Sequence, residues 1–194
     1  MNLYTQIFRG TLVAFALALP MLAQSAGKKE PLMLFGTPLK DATRAQLRQT
    51  LAKAGLGVQS EDDREPCDRY KVNGQLSEAS ELLVCYTRGD NRFAFATYTL
   101  PSFMDVQQVQ RVIDRVSAKY GPPSEQHGTV AVGAVTAVWH MPGGTAVAVT
   151  RDWPDTTTKL ILADTAATNK FSAQIEAEEK SELERQALKE GNAY

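Results

Sequence analysis

DVQQVQRVIDRVSAKYGPP, running from Asp105 to Pro123, decides how the chain is read. Val106, Val109, Ile113, Val116 and Tyr120 recur every three or four residues, which makes one face of a helix apolar. Gly121 followed by Pro122 and Pro123 ends that helix, since glycine takes a left-handed C-terminal turn and proline cannot extend the ladder. Ser102 or Asp105 is placed to cap its start. Beyond it, Val130 to Met141, Thr145 to Arg151 and Lys159 to Ala163 have strand character, joined by Pro142-Gly143-Gly144 and Trp153-Pro154-Asp155. Val135, Ala137, Trp139 and Met141 alternate with Ala134, Thr136, Val138 and His140, assigning Trp139 to the core and His140 to solvent or a sheet edge.

The same order appears upstream. After a candidate strand at Leu32 to Phe35, Asp41 or Thr43 caps a helix whose Leu47, Leu51 and Ala54 share a face and whose stop is Gly55. An acidic loop is expected from Val58 to Asp68, then strands at Asp68 to Val72, Glu81 to Thr87 and Arg92 to Leu100. A two-residue or a three-residue turn at Gly89 leaves open which faces Phe93 and Phe95 take. The fold class is therefore α+β: tandem αβββ units, about 37–100 and 101–165, within one domain of residues 27–165. They form an antiparallel sheet of six or seven strands, with helices on one face and the other face left to water or a partner. A polar helical tail, 166–194, follows; Phe171, Ile175, Leu183 and Leu188 are its sparse apolar positions, and a Glu176–Lys180 pair adds only tenths of a kcal/mol, so it is expected to be solvated and poorly anchored.

Met1 to Ala26 read as a secretory signal peptide: Arg9 precedes the apolar run Gly10 to Leu22, with cleavage after Ser25 or Ala26. That uncharged run of about thirteen residues is short of the roughly 20 that span a bilayer. Removing the segment takes one of 21 basic and none of 22 acidic residues, leaving a formal charge of −2, which argues against nucleic acid. The expected address is the periplasm, without stable membrane insertion after cleavage. Cys67 and Cys85, an even pair in an exported chain, are expected to form a disulfide. Cys67 opposite Cys85 would pair Tyr70 with Leu82 and loop out Asn73 to Ala79.

Catalytic chemistry is not visible. His127 and His140 share no metal-ligand motif, and Glu61-Asp62-Asp63 lacks the alternation and glycine of a calcium loop. No serine lies in a G-x-S-x-G elbow, and Gly143-Gly144 is a hairpin turn without the Lys-Ser/Thr of a phosphate loop. No catalytic residue, metal or cofactor is assigned. Recognition is a better reading: Arg151, Asp152, Trp153 and Asp155 set a large aromatic among charges in a turn, the composition of an interface hot spot. Trp153 either stands out as a contact or folds back over the sheet end. Phe103, at the corner before the second helix, is expected to staple onto that helix, with an exposed contact as the other reading.

The αβββ duplication over Thr43 to Ala163, with its Lys119-Tyr120-Gly121-Pro122-Pro123 helix exit, resembles small exported proteins of the β-lactamase-inhibitor-like class and outer-membrane assembly lipoproteins sharing that unit. The resemblance transfers no binding residues. This chain lacks the lipid-attachment cysteine of the lipoproteins, so the resemblance points to soluble inhibition or immunity against an envelope-active enzyme or toxin. Envelope assembly or scaffolding is the alternative, and an enzyme with a site not visible in sequence comes last.

Overall fold

The computed structural model describes residues 30–191; the expected signal peptide, Met1 to Ala26, lies outside them, as do Asn192 to Tyr194. A small hairpin, β1 (Met33–Leu34) and β2 (Thr37–Pro38), leads into α1 (Arg44–Lys53). Thr43 is the cap chosen between the two candidates. Its side chain and that of Gln46 form a reciprocal capping box, while Gly55 leaves the helix at φ +79°. Four strands follow: β3 (Gly57–Ser60), β4 (Cys67–Lys71), β5 (Glu81–Tyr86) and β6 (Phe93–Leu100). The second half repeats this order with α2 (Gln108–Tyr120), β7 (Glu125–Thr129), β8 (Val132–Met141), β9 (Thr145–Arg151) and β10 (Thr158–Asp164). Helix α3 (Thr165–Glu190) ends the described chain.

All eight strands from β3 to β10 form one antiparallel sheet in the order β3-β4-β5-β6-β10-β9-β8-β7. The last strands of the two units meet at the centre, Leu160 opposite Tyr98 and Leu162 opposite Ala96. Each unit thus carries one strand more than the sequence suggests, at the outer edge. Both additions, β3 and β7, are nearly or wholly exposed, so no buried alternation marks them. Gly128 makes β7 possible: at φ +89° a Cβ would stand 1.9 Å from the Ala134 carbonyl oxygen, within the β7–β8 bulge.

Leu47 and Leu51 of α1 and Val109, Val112, Ile113 and Val116 of α2 are buried with Tyr70, Leu82, Val84, Trp139, Val147 and Val149 in one core. Trp139 fastens strand to helix, its indole N–H donating to the Gly121 carbonyl at 2.8 Å. Helix α2 starts later than expected. Gln107 is its N-cap residue, and Asp105 serves upstream by accepting the Gln107 N–H at 3.0 Å, so neither Ser102 nor Asp105 occupies the cap position.

On the opposite face a register shift between β5 and β6 settles the two phenylalanines. Phe93 enters the core opposite Tyr86, whereas Phe95 lies opposite Cys85 and meets Phe171 of α3 edge-on at 5.3 Å. The first half of α3 is therefore held, contrary to the expected solvated tail. Gln174 both accepts from the Arg88 N–H at 2.9 Å and donates to its carbonyl at 3.0 Å, and Thr168 donates to the Ala94 carbonyl at 2.9 Å. An amide and a hydroxyl share the anchoring with Phe171 and with the Lys170–Asp90 and Arg88–Glu178 ion pairs, and none of the polar groups leaves an apolar period in the sequence. From Glu179 onward the helix is exposed, and Lys180 lies nearest Glu184, 4.0 Å away, instead of Glu176.

Cys67 and Cys85 are bonded and directly opposite in the β4–β5 ladder, and Tyr70 pairs with Leu82 as that register requires. With a sequence separation of 18, chain entropy assigns the bond about 3 kcal/mol. Reduction and alkylation should lower the unfolding free energy by that amount, seen as a lower urea midpoint; an unchanged midpoint would refute the assignment.

Candidate functional site

One end of the second unit collects exposed apolar side chains on three loops. Phe103 and Met104 lie on the corner between β6 and α2, Val132 at the start of β8, and Trp153 in the β9–β10 loop. They are 91%, 85%, 60% and 53% exposed, and they make up half of the eight large apolar side chains exposed among the described residues. The Phe103 staple expected from sequence does not form. Phe103 and Met104 both adopt left-handed backbone, φ +47° and +72°, which turns them outward at a cost of roughly 1–2 kcal/mol each. Neither side chain recovers packing in return for that strain.

The loops are held together from below. Ser102 Oγ donates to Thr156 Oγ1 at 2.7 Å, joining the β6–α2 corner to the β9–β10 loop. Arg151 belongs to this support, not to the surface, which corrects its assignment as a contact residue. It is 1% exposed, and its guanidinium donates to the carbonyls of Val106 at 2.8 Å, Val130 at 2.9 Å and Gly133 at 2.8 Å. Five donors in a fixed fork suit a place where the β6–α2 corner and the β7–β8 hairpin both offer carbonyls. The remaining sequence candidates are at the surface. Asp152 pairs with Lys159 at 3.1 Å, and Asp155 accepts the Thr157 N–H at 2.9 Å, a bond that holds its carboxyl below the usual range. Asp105, at the foot of the corner, is likewise lowered by its hydrogen bond from Arg111.

Two polar clusters lie elsewhere. Glu125 on β7 stands 3.1 Å from His140 and 4.0 Å from His127, so the two histidines do approach one carboxylate, all three on the exposed face of the edge hairpin. Among the described residues no group of three is arranged to hold a metal ion. In the first unit Asp68 receives both Arg44 and Arg48, and Tyr70 donates to Glu61 at 2.7 Å. The stretch expected to be a solvated acidic loop is thus partly strand β3 and partly clamped to α1. Its Asp62 and Glu65 carbonyls each accept from Arg44 at 2.9 Å.

No family model matches the chain, and no curated protein matches it. Among solved structures, a DUF4309 family protein, YjgB, from Bacillus subtilis subsp. subtilis str. 168 is similar over 70% of this chain and 87% of its own, at 12% identity and a TM-score of 0.41.

Proposed function

We propose that this is an exported periplasmic protein that acts by binding another protein, as an inhibitor or immunity factor of an envelope-active enzyme or toxin, through the loop end of its second unit. The observation that carries this reading is the grouping of Phe103, Met104, Val132 and Trp153 above buried Arg151. Burying an aromatic or aliphatic side chain of this size in a partner contributes about 1.5–3 kcal/mol, and a few such anchors dominate a typical interface. Asp152 and Asp155 flank the tryptophan, so the partner surface should be an apolar cleft bordered by basic residues.

Affinity capture from the native periplasm, run side by side with native chain and Trp153→Ala, tests the reading. The native chain should retain one protein at stoichiometric ratio. Trp153→Ala should weaken capture by about 2 kcal/mol while changing the unfolding free energy by no more than about 0.5 kcal/mol, because the residue is exposed. Equal capture by both chains would remove this surface from consideration. The free half of α3 supports the scaffolding alternative, with Leu183 and Leu188 exposed beyond the anchored turns. Capture that depends on residues 179–194 and not on Trp153 would favour it.

A further inference from the structure

On the helix-covered face, the line where the two units meet is not fully roofed. Helix α2 packs against β8, β9 and β10 and leaves the central pair β6–β10 beneath a cleft of about 260 Å³. Tyr98, Leu160 and Leu162 form its floor, Val112 and Val116 one wall, and the tip of the β1–β2 hairpin overhangs the other side with Leu34 and Phe35. Leu160 is only half-buried although it sits on a central strand, so the cleft, and not a neighbouring side chain, occupies the space above it.

The polar groups around this apolar space are few and of one sign. Arg115 and Lys119, one helical turn apart, stand at its edge. Arg115 is engaged with Glu78 at 2.8 Å. Lys119 lies over the Tyr120 ring, 5.0 Å from its centroid, and among the described residues it forms no ion pair. Lys119 and Tyr120 also line a second, smaller cavity together with Glu30 and Met141. On the floor, burial alone raises the Tyr98 phenol, with no hydrogen bond contributing. An apolar cleft with Tyr98 and Tyr120 in its lining and, at its edge, an ammonium that forms no ion pair among the described residues has the lining of a small-ligand site, and such sites favour the boundary between structural units.

We infer that this cleft binds one medium-chain fatty acid, its tail on Leu160, Leu162 and Val116 and its carboxylate at Lys119. The cleft lies just below the roughly 300–1,000 Å³ usual for ligand pockets, so a single acyl chain fits and the two chains of a phospholipid do not.

Calorimetric titration of the full-length mature chain with decanoate, supported by displacement of anilinonaphthalene sulfonate, tests the inference. One decanoate should bind per chain. Lys119→Gln should weaken binding by about tenfold, the loss of one partly shielded charge pair, while Lys119→Arg retains it. Leu160→Trp should fill the cleft and abolish binding, with thermal unfolding confirming that the variant is folded. Decyltrimethylammonium binding as tightly as decanoate would overturn the role of Lys119. Undiminished binding by folded Leu160→Trp would overturn the site, and tighter binding of a lysophosphatidylglycerol of equal chain length would overturn the choice of carboxylate.

Discussion

Replacing Asp68 by alanine should cost about 3–5 kcal/mol, a large part of the roughly 5–15 kcal/mol that holds a domain of this kind together. The Asp68 side chain is 0% exposed and serves two arginines at once. Arg44 donates through Nε to Oδ2 at 3.2 Å and through Nη2 to Oδ1, and Arg48 donates to the same two oxygens at 2.8 and 2.9 Å. Removing the carboxylate leaves Arg44, whose side chain is 6% exposed, with the Asp62 and Glu65 carbonyls as hydrogen-bond acceptors and the Tyr86 ring 5.0 Å away. Arg48 is 23% exposed and can turn to water, so most of the cost falls on Arg44. Asp68→Asn, which keeps one acceptor, should lose less. A double variant, Arg44→Met with Asp68→Leu, should recover much of the loss, because a buried ion pair is costly chiefly when half of it is removed. Urea unfolding of the three variants measures these differences; an alanine variant within 1 kcal/mol of native, an outcome well under the range expected for broken buried pairs, would show that the pair is dispensable.

The same site should contribute to the acid limit of the fold. Desolvation pushes the Asp68 carboxyl up, but hydrogen bonds from Arg48 and Arg44 together outweigh it, and the group titrates below its ordinary 3.8. A carboxyl whose pKa is lower in the folded than in the unfolded chain contributes stability that is fully present above the unfolded value. That contribution is lost as pH falls through the folded one. Unfolding free energy of the native chain should therefore drop more steeply below about pH 4 than that of Asp68→Asn. Parallel curves would assign the acid limit to other carboxyls.

Legibility in sequence followed burial on a single periodic face. The valines of α2 and the alternation of Val135, Ala137, Trp139 and Met141 declare their elements because each buries one side. Glu125 to Thr129 declares nothing: as an edge strand it is exposed at every residue and is held by its backbone pairing to β8. The disulfide register was readable because period-two pairing leaves only one arrangement once Cys67 faces Cys85. The candidate surface was half readable. Trp153 and its acids stand out as an aromatic among charges in a turn, whereas Phe103 looks like a helix staple until the left-handed backbone at Phe103 and Met104 is known. Arg151 misleads for a different reason. Charge ordinarily implies exposure, and the carbonyls that bury this one come from positions 18 to 45 residues away in sequence.

That burial makes Arg151→Met the variant that separates support from contact. Four carbonyls would lose their donor, the Thr129 one only a long bond, and hydrogen bonds to charged groups are worth about 1.5–3 kcal/mol each before water re-enters, so a loss on the order of 3–5 kcal/mol is expected. Arg151→Lys should fall between, since one ammonium cannot span the loops that a guanidinium fork reaches. The distinguishing readout is local. Amide hydrogen exchange should accelerate at Val130 to Gly133 and around Val106, while the Arg44–Asp68 cluster in the other unit keeps its protection. Trp153→Ala should give the reverse pattern, with native exchange throughout and weakened capture of the partner. If Arg151→Lys remained folded and bound as tightly as native, the loop end would not need its internal tie. Preorganisation of Phe103, Met104 and Trp153 would then contribute nothing to recognition, and ordering these loops on binding would cost less than the strain at Phe103 implies.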